Sequence, residues 1–305
     1  GQNVEIHLRT KDLLPLKIRF DFSFIKNLLS KNRKYGFSYF FSSFHTLLVL
    51  MFLGRFYPTA SGFKYAGIWA LALSLIEILL IVPSSLGNSL LHKIPHYSAE
   101  NKKKSLWNLM LLVVWIGVVI AINFWIFADD IIVFVSSQKF LGTWENFTSW
   151  GSNQILPFLG IVLVLSFIKQ VYNYLFVALE KQNLLFEINL VGVLIGAGVG
   201  VRLIPTYGLM WGVITQILIE LIFTLGAIGL WIRKQLTPQL PKKVWIQLLG
   251  ILVFFALIGV GIHYYFYARG VSMVRFFLVA GIFNLLLVAT SLKAMKKVAK
   301  GLTND

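Results

Sequence analysis

Apolar residues in this chain come in long blocks separated by short polar connections. Eight blocks stand out: Gly36–Gly54, Ala66–Leu91, Leu106–Ala128, Ile155–Leu179, Leu184–Ile204, Gly208–Ile232, Val244–Ala268 and Ser272–Leu292. A helix needs about 20 apolar residues to cross a hydrocarbon layer ~30 Å thick. Lipid offers no partners to backbone polar groups, so a spanning segment must be a helix or part of a closed barrel. Barrel strands alternate apolar and polar residues over about ten positions. These blocks do not alternate, so the pattern predicts an all-α, polytopic membrane bundle.

The polar stretches have patterns of their own. Leu16, Ile18, Phe20 and Phe22 alternate with Lys17, Arg19 and Asp21, as in an extended strip. From Ser23 onward, Phe24, Ile25, Leu28 and Leu29 make an apolar helical face opposite Lys26 and Lys31. That arrangement predicts a helix lying on an anionic leaflet. Residues 1–35 are therefore read as a basic linker, 36–232 as a six-helix lobe, and 233–305 as two further spans with a basic tail. The longest connection is Asp129–Asn153, where Ile131–Val135 predicts a short apolar helix at the membrane face. Asn146-Phe147-Thr148 matches a glycosylation sequon but is read as a chance occurrence. Pro83 and Pro157 each remove a backbone donor and predict a kink. Gly192, Gly196 and Gly200 repeat every four residues and predict close helix approach.

Charge then orients the bundle. The chain carries a formal net charge of +16 and no cysteine. In a soluble domain such a charge would point to nucleic acid. Here the basic residues sit in alternate connections, which is a topology signal rather than a sign of a nucleic-acid partner. Arg9, Lys11, Lys17, Arg19, Lys26, Lys31, Arg33 and Lys34 precede the first span. Lys93, Lys102, Lys103, Lys104, Lys181, Arg233, Lys234, Lys242, Lys243, Lys293, Lys296, Lys297 and Lys300 fall on the same side. The other side has Arg55, Lys64, Lys139, Arg202, Arg269 and Arg275. An even span count with both termini cytoplasmic follows. Without cysteine there is no disulfide, no thiolate metal site and no thiol nucleophile.

Three charges lie well inside spans: Glu77, Lys169 and Glu220. Insertion scales put such a charge at ~2.5–3.5 kcal/mol, so it faces a cavity or a partner. Each belongs to a polar stripe at helical spacing. The stripes are Ser74, Glu77, Ser84 and Asn88 in the second span; Ser166, Lys169, Gln170 and Asn173 in the fourth; and Gln216, Glu220 and Thr224 in the sixth. The first span adds Ser38, Ser42, His45 and Thr46, while spans seven and eight are nearly bare. Two readings stand. The stripes line a hydrated cavity, with Ser166, Lys169, Gln170 and Asn173 on substrate and Glu77, Glu220 and His45 as coupling groups. Alternatively they are interhelical contacts worth ~0.6 kcal/mol each, with Lys169 paired to Glu77 or Glu220. No phosphate-binding loop, dinucleotide fingerprint, zinc-protease or serine-hydrolase motif occurs. His92 and His96 are four apart, but Pro95 separates them and no third ligand follows. The expectation is a non-enzyme without cofactor or metal.

Three segments carry a resemblance. Gly54-Arg55-Phe56, Gly67-Ile68-Trp69-Ala70-Leu71-Ala72 and Ile81-Val82-Pro83-Ser84-Ser85-Leu86-Gly87-Asn88-Ser89-Leu90 resemble the seventh and eighth helices of polysaccharide and O-antigen flippases of the MOP superfamily. Ile155-Leu156-Pro157-Phe158-Leu159, with Phe176-Val177-Ala178-Leu179-Glu180-Lys181-Gln182-Asn183, is similar to their tenth helix and its turn. Leu203-Ile204-Pro205-Thr206-Tyr207-Gly208-Leu209-Met210-Trp211-Gly212 is similar to an "IP-x-[YF]-G-x-x-G" turn, the most specific of the three. The resemblance covers nearly the whole chain, matched to helices seven to fourteen of about fourteen. Family members often carry an Asp in the helix matching span one, and Val49 lies near that place here.

The resemblance implies a lobe of a V-shaped transporter in a bacterial inner membrane. It would move a polyprenyl-diphosphate-linked sugar by alternating access, with Lys169 attracting the diphosphate. The chain begins at Gly1 rather than Met, and a fragment or half-transporter needing an N-terminal six-helix lobe or a partner half is expected. The rival expectations are a MATE-like drug or cation exporter and a non-transporting scaffold in glycan assembly.

Overall fold

In the computed structural model the described residues are 22–57, 59–91, 99–143, 150–178 and 181–231, with isolated positions between 250 and 289. Among them the chain is helical and contains no strand. The elements are α1 (Phe22–Phe56), α2 (Thr59–Leu79), α3 (Ile81–Leu91), α4 (Ala99–Val135), α5 (Ser152–Ala178), α6 (Gln182–Tyr207) and α7 (Leu209–Trp231), with one 3-10 turn at Gln138–Phe140. Six helical stretches are long and apolar enough to cross a membrane: Gly36–Phe56, Ser61–Asn88, Leu109–Val135, Ser152–Val177, Asn183–Tyr207 and Leu209–Gly229. They reproduce the first six apolar blocks with shifted ends, and the molecule is an all-α membrane bundle. The histidine pair, the sequon, residues 1–21 and all but isolated positions of the expected seventh and eighth spans lie outside the described residues.

Helix α5 is the hub. It packs against α4 on one flank, α7 on another, and α2 with α3 on a third. Of its span positions 67% are buried, against at most 50% in any other span. Helix α1 packs on α6, α2 and α7, and α6 lies along α7. The core between these helices holds Trp69, Phe167, Phe176, Phe223, Leu53, Leu159 and Leu163, all essentially inaccessible. The glycine repeat of α6 is a packing device. A side chain at Gly192 would overlap the Phe223 ring, at Gly196 the Ile219 side chain, and at Gly200 the Phe52 ring.

Two helices exceed the bilayer. At about 1.5 Å per residue, the 35 residues of α1 reach about 52 Å. Phe22, expected at the end of an extended strip, is instead the first residue of α1, and the segment expected as an interfacial helix is the unbroken start of α1, running on into the first span. Helix α4 bends at Phe127 (φ −119°, ψ 22°), which sets off the short apolar helix predicted around Ile131–Val135. There Ile132 is buried while Phe134 and Val135 face outward.

The second span breaks between α2 and α3. Pro83 has no N–H, so it leaves the carbonyl one turn earlier without its helical donor. The chain responds at Leu80, whose N–H splits between the carbonyls of Ile76 and Glu77, 3.2 Å each. Ser84 repairs the far side: its N–H and its hydroxyl both donate to the Leu80 carbonyl, at 3.3 and 2.7 Å. In α5, Pro157 is absorbed near the start of the helix, where Ser152, Asn153 and Gln154 supply side-chain bonds.

The turn between α6 and α7 is one residue, Gly208, with φ +68°. Only glycine adopts that backbone without strain. Gly208 N–H donates to the Ile204 carbonyl at 2.8 Å, and the Tyr57 hydroxyl donates to the same carbonyl at 2.9 Å. Partial burial raises the Tyr57 hydroxyl above its usual range, which keeps it a donor. The Ile204–Gly208 sequence therefore makes a hairpin and ties it to the end of α1.

Candidate functional site

The deepest polar feature joins α1, α5 and α7. His45, Lys169 and Glu220 lie eight or nine residues from the ends of their spans at Gly36, Val177 and Gly229, or about 12–14 Å at 1.5 Å per residue. They meet near the midplane of a ~30 Å layer. Lys169 Nζ is 2.8 Å from Glu220 Oε1, and His45 Nε2 is 2.7 Å from the same oxygen. The lysine and histidine nitrogens are 3.3 Å apart. An imidazole nitrogen that close to a carboxylate oxygen must carry hydrogen, so Nε2 donates. Two donors from two helices thus converge on one oxygen held by a third. Side-chain exposures of 9% for Lys169 and 1% for Glu220 and for His45 exclude bulk water from the contact.

Apolar and aromatic groups frame the cluster. The Phe223 ring lies 4.9 Å below the Lys169 ammonium, within cation–π range. The same ring meets His45 edge-on at 5.1 Å between centroids. Several buried polar atoms around it have no partner among the described residues: Glu220 Oε2 and both amide atoms of Gln216. Gln216 lies one turn from Glu220 on the same face of α7. An unpaired buried polar group costs about 1–3 kcal/mol, so this cluster is held in an incompletely satisfied state.

The rest of the fourth-span stripe points elsewhere. Ser166 is buried. Gln170 Nε2 donates to Ser84 Oγ at 2.9 Å, and Asn173 Nδ2 reaches Gln170 Oε1 at 3.4 Å. Because Ser84 also bonds the Leu80 carbonyl, this chain leads from the hub helix to the break in the second span. Of the sixth-span stripe, Gln216, Glu220 and Thr224 are all buried, and the Thr224 hydroxyl donates to the Leu165 carbonyl at 3.4 Å.

Glu77 does not join Lys169. It lies with Ser74 and Asn88 on the exposed face of the second span. Trp69, Ala72, Leu73 and Ile76 take the buried face instead. Glu77 is eleven residues from Asn88, about 16 Å along the axis, and so also near the midplane. A carboxylate there cannot face hydrocarbon cheaply.

Two polar clusters escaped the sequence reading. Asn189 Nδ2 donates to both the carbonyl and the hydroxyl of Ser38, at 3.0 and 2.9 Å, and ties α6 to α1. At the start of α5, Asn153 Nδ2 donates to Asp129 Oδ1 at 2.6 Å and Asn153 Oδ1 accepts from Gly142 N–H at 2.8 Å. Gln154 bonds Gly151 N–H and the Gly142 carbonyl at 2.7 Å each, and Ser152 Oγ donates to the Ile68 carbonyl at 2.9 Å. The run Ser152-Asn153-Gln154 before an apolar block was the available signal. It staples the loop after α4 onto the end of the hub helix. Among the described residues no group of three metal-ligating side chains occurs. No protein-family model, no curated protein and no solved structure matches the chain.

Proposed function

We propose that the bundle is one lobe of an alternating-access carrier for a polyprenyl-diphosphate-linked sugar in a bacterial inner membrane, with both termini cytoplasmic. The observation that carries the reading is the pair of donors, Lys169 and His45, turned to a single oxygen at mid-membrane depth. A transported diphosphate needs a compact cation and a hydrogen-bond donor in a dry setting, and these two supply them. Support also comes from the exposed Ser74, Glu77 and Asn88, polar groups interleaved with exposed Ile78 and Ile81, of which the Glu77 carboxylate calls for water or a second lobe. The break at Leu80 in the same span, bonded through Ser84 to Gln170, gives that span a place to bend. The Gly208 hairpin and the Leu80–Pro83 break also supply physical reasons for the residues that carry the flippase resemblance.

The rival of a drug or cation exporter draws on one observation, the exposed Glu77 carboxylate. Both readings predict a wet wall; they differ in what occupies it. Cysteine replacements at Ser74 and Asn88 decide the point, because the native chain has no cysteine. Both should react with a membrane-impermeant maleimide in vesicles. A polyprenyl-diphosphate sugar should protect them, and a lipophilic organic cation should not. Protection by the cation alone would give the exporter, and no labelling at either position would remove the wall.

A further inference from the structure

We infer that Lys169 and His45 form an anion site that Glu220 closes from within, so that the Glu220 carboxylate holds the place of a phosphate oxygen until substrate displaces it. The inference rests on the flippase reading and concerns how that same site is regulated. Three observations carry it. The first is convergence: Nζ at 2.8 Å and Nε2 at 2.7 Å address one oxygen, Oε1, from two different helices. Two donors 3.3 Å apart on separate elements describe a cradle for an anionic oxygen, and they do so whichever molecule owns that oxygen. A terminal phosphate oxygen takes charge-assisted bonds of the same length.

The second observation is that the occupant is only half engaged. Glu220 Oε2 has no partner among the described residues, although the residue is 1% exposed. A carboxylate placed for permanent structural pairing would have both oxygens satisfied in so dry a place. The third is a second resting place. Gln216, one turn away on the same helix, is fully buried, and among the described residues its amide nitrogen and oxygen are both without partners. Its N–H groups can receive the carboxylate once it leaves Lys169. Glu220 thus has two positions, one on Lys169 and His45 and one on Gln216, and an entering diphosphate selects the second.

The groups facing the cluster are few. His45 comes from α1, Lys169 from α5, and Glu220 from α7. On α6 the ionisable Glu187 and Arg202 are exposed, and on α2 Glu77 is exposed. No other described charge competes for the cradle. Exchange also has a mechanical consequence. The Lys169–Glu220 bond is the charged contact between α5 and α7, and replacing it with a ligand bond frees the two helices to shift. A diphosphate thereby loosens the joint that its absence keeps shut.

The test uses the full chain in lipid nanodiscs with farnesyl diphosphate, a short soluble polyprenyl diphosphate, as probe. An internal competitor that holds the site nine times in ten weakens apparent affinity about tenfold. Glu220→Gln should therefore bind the probe about tenfold more tightly than the native chain, and Lys169→Gln should lose binding. His45→Gln keeps a donor and should retain most affinity, whereas His45→Phe should weaken it. Gln216→Leu, which removes the second resting place without touching ligand, should weaken binding several-fold. If Lys169→Gln binds like the native chain, the anion-site reading falls and the latch with it. If Lys169→Gln loses binding but Glu220→Gln gains none, the latch is wrong and the reading survives. Should Glu220→Gln fail to fold, Glu220→Asp retains the charge and shortens its reach. Tighter binding by that variant supports the latch, and unchanged or weaker binding overturns it.

Discussion

Consider replacing Lys169 by Met. The ammonium is 2.8 Å from Glu220, with exposures of 9% and 1%. With an effective dielectric of about 20, two unit charges at that distance attract by roughly 6 kcal/mol. Taking both ions out of water consumes several kcal/mol apiece, so the pair as a whole contributes little net stability. Removing one member is different. Lys169→Met leaves a buried carboxylate facing a lone imidazole donor, and breaking such a pair costs about 3–5 kcal/mol. Glu220→Leu strands the ammonium and should cost a similar amount. The double variant Lys169→Met/Glu220→Leu removes both charges, keeps much of the volume, and should be more stable than either single variant. Unfolding of such a protein in detergent is governed by rate, so the measurement is a ranking of inactivation temperatures. Fluorescence-detected gel filtration after a ten-minute heating step gives that ranking. The reasoning is refuted if the double variant is as unstable as the two single losses added together. Transport then separates structure from function. A stable double variant that, co-expressed with a matching six-helix lobe, still supports glycan export would leave Lys169 as a structural ion only.

Other consequences follow from the same geometry. Gly208→Ala places a side chain at φ +68°, ψ −141°, a region nearly reserved for glycine, and should cost about 1–3 kcal/mol, read as a lower inactivation temperature. Gly196→Leu drives a side chain into Ile219 and should abolish the monodisperse peak in gel filtration, while Gly198→Leu, in open space, should not. A cysteine at Lys103 should resist impermeant maleimide applied outside intact cells, and labelling there would reverse the proposed orientation. The chain alone should not support glycan export, and co-expression with a matching six-helix lobe should restore it.

The six spans were legible because lipid demands a long apolar run and a basic flank, and both are local properties of sequence. The kink in the second span was legible for the same reason, since a proline removes a donor wherever it stands. Its position was not: the chain breaks at Leu80, where Ser84 can mend the carbonyl, rather than at Pro83 itself. The identity of Lys169's partner depended on the rotation of two helices about their axes. Spacing alone left Glu77 and Glu220 equal. Trp69, Ala72, Leu73 and Ile76 decide it by turning their face to the core, which turns Ser74 and Glu77 away. The stripe in the fourth span was read as one surface, yet Lys169 and Gln170 are about 100° apart around a helix and serve different neighbours. The staple of Ser152, Asn153 and Gln154 was hidden because, Asp129 apart, its partners are backbone groups of Gly142, Gly151 and Ile68, which carry no residue-specific signal.

A bundle held mainly by packed Leu, Ile, Val and Phe side chains had no need of a buried ion cluster for stability, since well-packed apolar residues at those three positions would serve at least as well. What the cluster adds is a contact that can be exchanged. Apolar packing between α5 and α7 has no partner in a charged substrate, so nothing that enters the membrane can replace it selectively. A lysine–carboxylate bond can be replaced by one class of molecule, an anion, and only where a second place waits for the displaced carboxylate. The unpartnered amide of Gln216 is such a place. Its cost, about 1–3 kcal/mol for each unsatisfied group, lies in the range of coupling energies between linked sites. Sites of this kind combine local polar imperfection with rigid surroundings. Here the rigid part is the aromatic and glycine packing around α6 and α7, and the imperfection at the cluster is the unpartnered Glu220 oxygen and Gln216 amide, one turn apart on α7.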